Sequence, residues 1–168
     1  MKKRPKIKIE LTTSDYFFEI TGLIALIILV ALPIYFFHDL PAQIPKHFNA
    51  MGEVDSYGDR EIIWILPVIG LFVYVGLTLL GKIPYSFNYP VKVTDENAEK
   101  LYKLGVRTIS VLKVVIILSF IFLNYKTISI ALNCSTEIGK FFLPLLLIVF
   151  AVIIAIMIQK MRLINRKR

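Results

Sequence analysis

Four long apolar runs, separated by short polar segments, organise the whole chain. The runs are residues 16–37, 62–81, 109–125 and 141–158. Each is close to the roughly 20 helical residues that cross a hydrocarbon core of about 30 Å. Because lipid offers no hydrogen-bond partners to backbone N–H and C=O groups, every run must be a helix. The pattern therefore predicts an all-α integral membrane protein with four transmembrane helices.

Lys and Arg residues predict how these helices are oriented. Segments that hold five of them alternate with segments that hold two. The rich segments are 1–15, 82–108 and 159–168, and the poor segments are 38–61 and 124–140. Since basic residues accumulate on the cytoplasmic side of membrane proteins, both termini are expected in the cytoplasm. We expect a multi-pass protein of the plasma membrane.

The same alternation divides the chain into parts. We expect a basic cytoplasmic N-terminus, a four-helix membrane domain and a basic cytoplasmic tail, at 1–15, 16–158 and 159–168. Inside the membrane domain, the outward loops are expected at 38–61 and 126–140 and the cytoplasmic loop at 82–108.

Composition narrows the class of protein further. Hydrophobic residues make up 57% of the chain and the mean hydropathy is +0.70, whereas soluble domains are about 45–50% apolar. The net charge of +8 flanks the apolar runs, so the expected partner is the lipid bilayer and not nucleic acid. The single Cys134 excludes a disulfide within the chain and offers no metal-binding spacing.

The outward loop contains a polar stretch, QIPKHFNAMGEVDSYG at 43–58, that predicts an ordered cap. Pro45 stiffens the chain, and Gly52 and Gly58 suit turns with positive φ. Phe48 is expected to anchor the stretch against the helix ends or the lipid headgroups. The Gly- and Ser-rich composition of a flexible linker is absent.

His47, Asn49 and Asp55 lie in the same stretch and admit two interpretations. They either form a binding site, in which His47 could respond to external pH, or hold the loop together by hydrogen bonds. Calcium or zinc ligation is a further alternative, since His, Asp and Glu are available, but no known motif has the required spacing. We therefore predict no metal, no cofactor and no enzymatic activity. A metal-dependent intramembrane enzyme is the weakest alternative.

Two ionisable residues lie inside the apolar runs, where charge usually marks function or pairing. Glu19 is about one turn into the first run and Lys113 about one turn into the third. Both are expected at a similar depth on the cytoplasmic side. They either form an ion pair between helices or extend to the membrane surface.

The loop residues also resemble a known signature. The shared pattern is Ile44-Pro45-x-His47-Phe48-Asn49-x-x-Gly52-x-x-Asp55-x-x-Gly58. It is similar to a bacterial membrane domain, largely without an assigned function, that forms the front part of SdpI-like proteins, which give immunity to a sporulation-delaying peptide toxin. The resemblance implies protection from a membrane-active peptide and, for some relatives, binding of a cytoplasmic repressor. This chain resembles only the front domain.

Two further patterns involve the predicted cytoplasmic loop at 82–108. The hexamer I-P-x-x-F-N occurs at 44–49 and again at 83–88, by chance or as the trace of an inverted repeat.

A helix is expected to begin at Asp95 behind Thr94. Its stripe of small residues is expected to pack on the loop at 86–90, with docking of a cytoplasmic partner as the alternative. The stripe consists of Ala98, Leu101, Gly105 and Thr108.

These observations favour a binding or sensory protein at the cell surface, with immunity to a membrane-active peptide as the sharper version. Its partner would be a peptide, a lipid headgroup or another membrane protein. The alternative is a component of transport or lipid handling. Such a component would have to be oligomeric, because four short helices are too few for most complete transporters.

Overall fold

The computed structural model describes residues 4–166, and Lys2, Lys3, Lys167 and Arg168 of the predicted basic ends lie outside them. Its long helices are α1 (Thr13–Phe36), α2 (Ile65–Gly81), α3 (Ala98–Ala131) and α4 (Phe142–Arg166). Two strands, β1 (Gln43–Phe48) and β2 (Val54–Asp59), follow α1, and two 3₁₀ turns lie at Arg60–Trp64 and Pro84–Ser86.

The helices correspond to the four apolar runs. Each is long and apolar enough to cross a membrane, α2 together with the 3₁₀ turn that precedes it. The prediction of four such helices is therefore confirmed, and the chain is a multi-pass membrane protein. The expectation of an all-α chain is wrong at 43–59, where β1 and β2 form an antiparallel hairpin. Proline and two glycines disfavour a helix in this stretch, and pairing the two strands satisfies their backbone groups instead.

Polar contacts show how the helices run relative to one another. Asp15 and Glu19 near the start of α1 contact Arg107 and Lys113 in the first half of α3. These two helices are therefore parallel. The last turns of α2 reach the same level, where Thr78 accepts a hydrogen bond from Lys113, so α2 runs in the opposite direction.

The bundle consequently has two different ends. We call the end that carries the hairpin and the connector 132–141 the hairpin end. The opposite end, which carries 4–12 and the connector 82–97, is the terminal end. The buried apolar side chains form one cluster at each end and one midway. The middle cluster comprises Ala25, Leu26, Leu29 and Ile117.

Helix α1 begins with a capping arrangement that also ties it to α3. The backbone N–H and Oγ1 of Thr12 donate to Asp15 Oδ2 at 2.8 and 2.7 Å. Arg107 Nε donates to the other carboxylate oxygen of Asp15 at 2.9 Å. Because the carboxylate is buried, these bonds compensate for the water it loses.

Helix α3 begins at Ala98 behind Asn97, three residues later than the sequence predicts. Its small-residue stripe does pack on the preceding connector, which confirms that prediction. A Cβ placed on Gly105 would lie 2.9 Å from the hydroxyl oxygen of Tyr89, so only glycine admits this approach. The Tyr89 hydroxyl donates to the carbonyl of Pro84 at 2.9 Å, and burial raises the pKa of Tyr89.

Helix α4 is the most peripheral of the four. Its buried residue is Met161 at the terminal end, and at the hairpin end Phe142 stacks on Phe122 of α3 with ring centroids 4.7 Å apart. No residue in the most apolar stretch of α4 is buried within the bundle. Most of this helix therefore faces lipid.

Candidate functional site

The hairpin carries the residues of the predicted signature, and its register contains two bulges. Pro45 pairs with Tyr57 and His47 with Ser56, so Lys46 is an extra residue on β1. The next pair joins Phe48 to Val54, which makes Asp55 an extra residue on β2. Bulges of this kind turn side chains away from the regular alternation of a strand.

The second bulge brings Asp55 next to His47. The Nδ1 atom of His47 lies 2.7 and 2.9 Å from the two carboxylate oxygens of Asp55. The two side chains are 67% and 41% exposed, so solvent weakens the attraction between them. Their contact orients the imidazole ring at the surface of the hairpin.

Asn49 organises the turn between the strands. Its Oδ1 accepts hydrogen bonds from the backbone N–H groups of Met51 and Glu53 at 2.8 and 3.1 Å. Its Nδ2 donates to Glu53 Oε2 at 2.9 Å. Asn side chains stabilise turns in this way because they replace backbone partners. Asn49 therefore makes the hydrogen bonds that hold the turn together. This is the structural interpretation of the two that the sequence allows.

Gly52 joins the hairpin to the connector 132–141. It has a φ of +82°, and its carbonyl accepts a hydrogen bond from the N–H of Ile138 at 2.9 Å. A Cβ at this position would lie 3.0 Å from backbone atoms of Gly139. The sequence predicts the turn at Gly52 but not this contact, because nothing local relates the two segments.

The remaining signature residues face the bundle or the first bulge. Pro45 is buried and Phe48 is half-buried, and both line the space below the hairpin. Gly58 pairs with Ile44, and the side chain of the bulged Lys46 crosses it, with Cδ 3.2 Å from the position of a Cβ at Gly58. The signature thus includes residues that shape the hairpin and residues that close a space beneath it.

That space is a cavity of about 370 Å³ under the hairpin. Its walls come from the hairpin, the connector 132–141 and the ends of α2, α3 and α4. The apolar lining includes Ile62, Ile63, Ile65, Leu66, Leu123, Phe142 and Leu143. The polar lining includes Lys46, His47, Asn49, Asn124 and Thr127.

Asn124 is a polar residue at this site whose role the sequence does not predict. In a regular helix the carbonyl of Ile63 would accept from the N–H of residue 67, but Pro67 has no N–H. Asn124 Nδ2 donates to this carbonyl at 3.1 Å. Its own Oδ1 is buried and accepts no hydrogen bond from any group among residues 4–166. The signal in the sequence that could have indicated this contact was an asparagine within one apolar run and a proline within another.

The orientation of the Asn124 amide follows from its partner. The Ile63 carbonyl can only accept, so the NH₂ end must face it and the oxygen end must point elsewhere. A buried carbonyl oxygen without a donor costs about 1–3 kcal/mol. Asn124 Oδ1 is therefore a buried acceptor, closed off from the cavity, that has no donor among residues 4–166.

The two charged residues predicted within the helices meet at the terminal end. Lys113 Nζ lies 2.6 Å from Glu19 Oε2 and 2.8 Å from Thr78 Oγ1. The Ser110 hydroxyl donates to the other oxygen of Glu19 at 2.8 Å, and the ring of Tyr74 lies 4.4 Å from the ammonium group. This cluster joins α1, α2 and α3, far from the hairpin.

Other sequence features find no counterpart at the hairpin. The first I-P-x-x-F-N hexamer forms β1, whereas the second contains the 3₁₀ turn Pro84–Ser86 at the terminal end, so the two copies differ in structure. Within residues 4–166, no three His, Cys, Asp or Glu side chains come together as metal ligands would.

Fold and site together define a multi-pass membrane protein with a hairpin that covers a cavity between helix ends. A family model described as "Domain of unknown function (DUF1648)" matches residues 23–71, a stretch that contains the entire hairpin. The chain is 26% identical over 144 residues to an "Uncharacterized protein" of Archaeoglobus fulgidus, which covers 77% of this chain and 78% of that protein. No solved structure matches the chain.

Proposed function

We propose that the chain is a binding or sensory protein of the plasma membrane whose recognition element is the hairpin at the outer surface. The observation that carries this proposal is the construction of the hairpin. Asn49 shapes its turn, Gly52 joins it to the connector 132–141, and it covers a cavity. A connector with no role beyond joining two helices needs none of these features.

The orientation and the partner are also parts of this proposal. The low number of basic residues near the hairpin favours its placement outside the cell. The resemblance to SdpI-like proteins supports immunity to a membrane-active peptide as the particular role. We infer no enzymatic chemistry, metal or cofactor, and a cytoplasmic repressor is the further partner that the resemblance suggests.

A survival assay tests the proposed function. Deleting the gene should sensitise cells to at least one peptide in a panel of secreted membrane-active peptides, and the wild-type gene should restore survival. Gly52→Val should fail to restore it because its Cβ meets the backbone of Gly139. Gly76→Val is the matched control, since no atom lies within 4 Å of a Cβ there. Equal survival of the deletion and wild-type strains across the panel would refute the immunity role.

A further inference from the structure

A groove between α3 and α4 at the terminal end is lined by four basic side chains. They are Lys100, Lys103, Arg107 and Lys160. The three on α3 share one face of that helix, because positions three, four and seven apart lie on the same side. Lys160 belongs to the opposite wall, on α4. No Asp or Glu of residues 4–166 lines the groove, so its walls present positive charge.

Ion pairs hold two of these cations in place while leaving them accessible. Lys103 Nζ lies 2.7 Å from Glu99 Oε1, and its side chain is 41% exposed. Arg107 Nε lies 2.9 Å from Asp15 Oδ1, and its side chain is 44% exposed. Arg107 Nη2 also donates to Thr12 Oγ1 at 2.8 Å. These contacts fix the guanidinium group and leave its other N–H groups for a ligand.

The groove lies where the apolar runs end. Arg107 and Lys160 are each two residues beyond a run, 109–125 or 141–158, which is about 3 Å along a helix. The rest of the lining is apolar and consists of Leu104, Leu163 and Ile164, and Leu163 is 54% exposed. Positive charge beside apolar surface at this depth matches a lipid phosphate and the hydrocarbon chains attached to it.

We propose that the groove between α3 and α4 binds the headgroup of one anionic phospholipid from the leaflet at the terminal end. The phosphate contacts Arg107 and Lys160, and the acyl chains follow the lipid-facing side of α4. The volume of about 440 Å³ lies within the roughly 300–1,000 Å³ of small-molecule sites and accommodates such a headgroup. This site goes beyond the proposed recognition by the hairpin, since it lies at the other end of the bundle.

Native mass spectrometry of the full chain in detergent tests the lipid site. The probes are phosphatidylglycerol and phosphatidylcholine with identical acyl chains, each titrated separately. The first phosphatidylglycerol should bind about tenfold more tightly than the first phosphatidylcholine, because the choline group brings a positive charge into a cationic groove. Equal affinity for the two lipids would overturn the proposal.

Two double variants that remove the same charge separate the groove from general attraction to a basic surface. Lys100→Gln with Lys160→Gln should lower the affinity for phosphatidylglycerol about tenfold, and Lys100→Arg with Lys160→Arg should retain it. Arg162→Gln with Arg166→Gln is the control and should also retain it, since these exposed residues lie about 200° and 240° around α4 from Lys160 and do not line the groove. Equal losses in the two Gln variants would overturn the site.

Competition distinguishes the lipid from other anions. Inorganic phosphate and a polyglutamate peptide, each supplied at the same concentration of negative charge as the lipid, should leave phosphatidylglycerol bound, because neither places hydrocarbon against Leu163 and α4. Displacement by phosphate would make the groove a site for free anions, and displacement by the peptide would make it a surface for an acidic protein. Either result would overturn the assignment to a phospholipid.

Discussion

At the residue scale, burial decides how much each charged group contributes. Lys113 is fully buried, while 27% of the side chain of Glu19 is exposed. The ammonium group therefore depends on its protein partners more strongly than the carboxylate does. When one member of a buried ion pair is removed, the cost is mainly that of the charge left behind. The two residues are consequently not equivalent, although the sequence places them symmetrically.

Substitution of this pair should show the difference. Glu19→Gln leaves a buried ammonium group without its counter-charge and should destabilise the protein by about 3 kcal/mol. Lys113→Met leaves a carboxylate that water and Ser110 still solvate, so the loss should be smaller. Thermal unfolding in detergent, followed through the single Trp64, measures both.

The exposed pair on the same helix provides the control. Glu99 and Lys103 form an ion pair at 2.7 Å with both side chains largely in solvent, and Lys103→Gln should leave the unfolding temperature unchanged. A larger loss in Lys113→Met than in Glu19→Gln would contradict the argument from burial.

At the element scale, the hairpin is held by a segment that is distant in sequence. Glu53 and Glu137 form an antiparallel bridge beside the hydrogen bond between Gly52 and Ile138. The sequence predicts an ordered loop with positive-φ turns at Gly52 and Gly58, and the second of these predictions is wrong, because only Gly52 of the two has a positive φ. The strands themselves follow from pairing across the loop, which a pattern read residue by residue does not show.

A designed disulfide tests this contact. Residues directly opposite in an antiparallel bridge have Cα atoms about 4.5–5.5 Å apart, which is within the range that disulfides span. Glu53→Cys with Glu137→Cys, in a Cys134→Ser background, should form a disulfide and resist a maleimide reagent until reduced. Tyr57→Cys with Glu137→Cys is the control and should stay reactive, because four strand residues add about 13 Å. Equal reactivity in the two pairs would show that the hairpin is not held against the connector.

At the scale of the whole molecule, the two ends of the bundle differ in construction. The hairpin end has a covered cavity, whereas the terminal end has a cluster that includes Tyr89, Leu101, Tyr102 and Met161. From the charge distribution we propose that the first end lies outside the cell and the second in the cytoplasm. Cys134 is exposed on the connector at the hairpin end and offers a natural probe of this assignment.

Cysteine labelling in intact cells tests the orientation. A membrane-impermeant maleimide should label the wild-type protein through Cys134, and Cys134→Ser should abolish the signal. Asn88→Cys in the Cys134→Ser background lies at the terminal end and should react only after lysis. The reverse pattern would place the hairpin in the cytoplasm and remove the surface role with it.

The amount that could be predicted differs between the helices and the site. Each apolar run specifies its own helix, because the requirement to satisfy backbone groups in lipid acts locally. The sequence did not predict the start of α3 at Ala98 or the strands at 43–59, because helix capping and strand pairing depend on residues brought close by folding. Of the signature residues, Gly52 shows its turn in the sequence, but its partner Ile138 lies in the other predicted outward loop.

Local signals in the sequence specified the four membrane-spanning helices, the ionisable residues that could pair within them and the position of an ordered loop. These features follow from hydrophobicity and turn chemistry, which act over a few residues. The folded chain alone shows that the loop is a hairpin over a cavity, that Asn124 donates to the carbonyl of Ile63, and that the oxygen of Asn124 has no donor among residues 4–166. Those relationships join segments about 60 residues apart, and they arise because packing brings groups together that no local pattern connects.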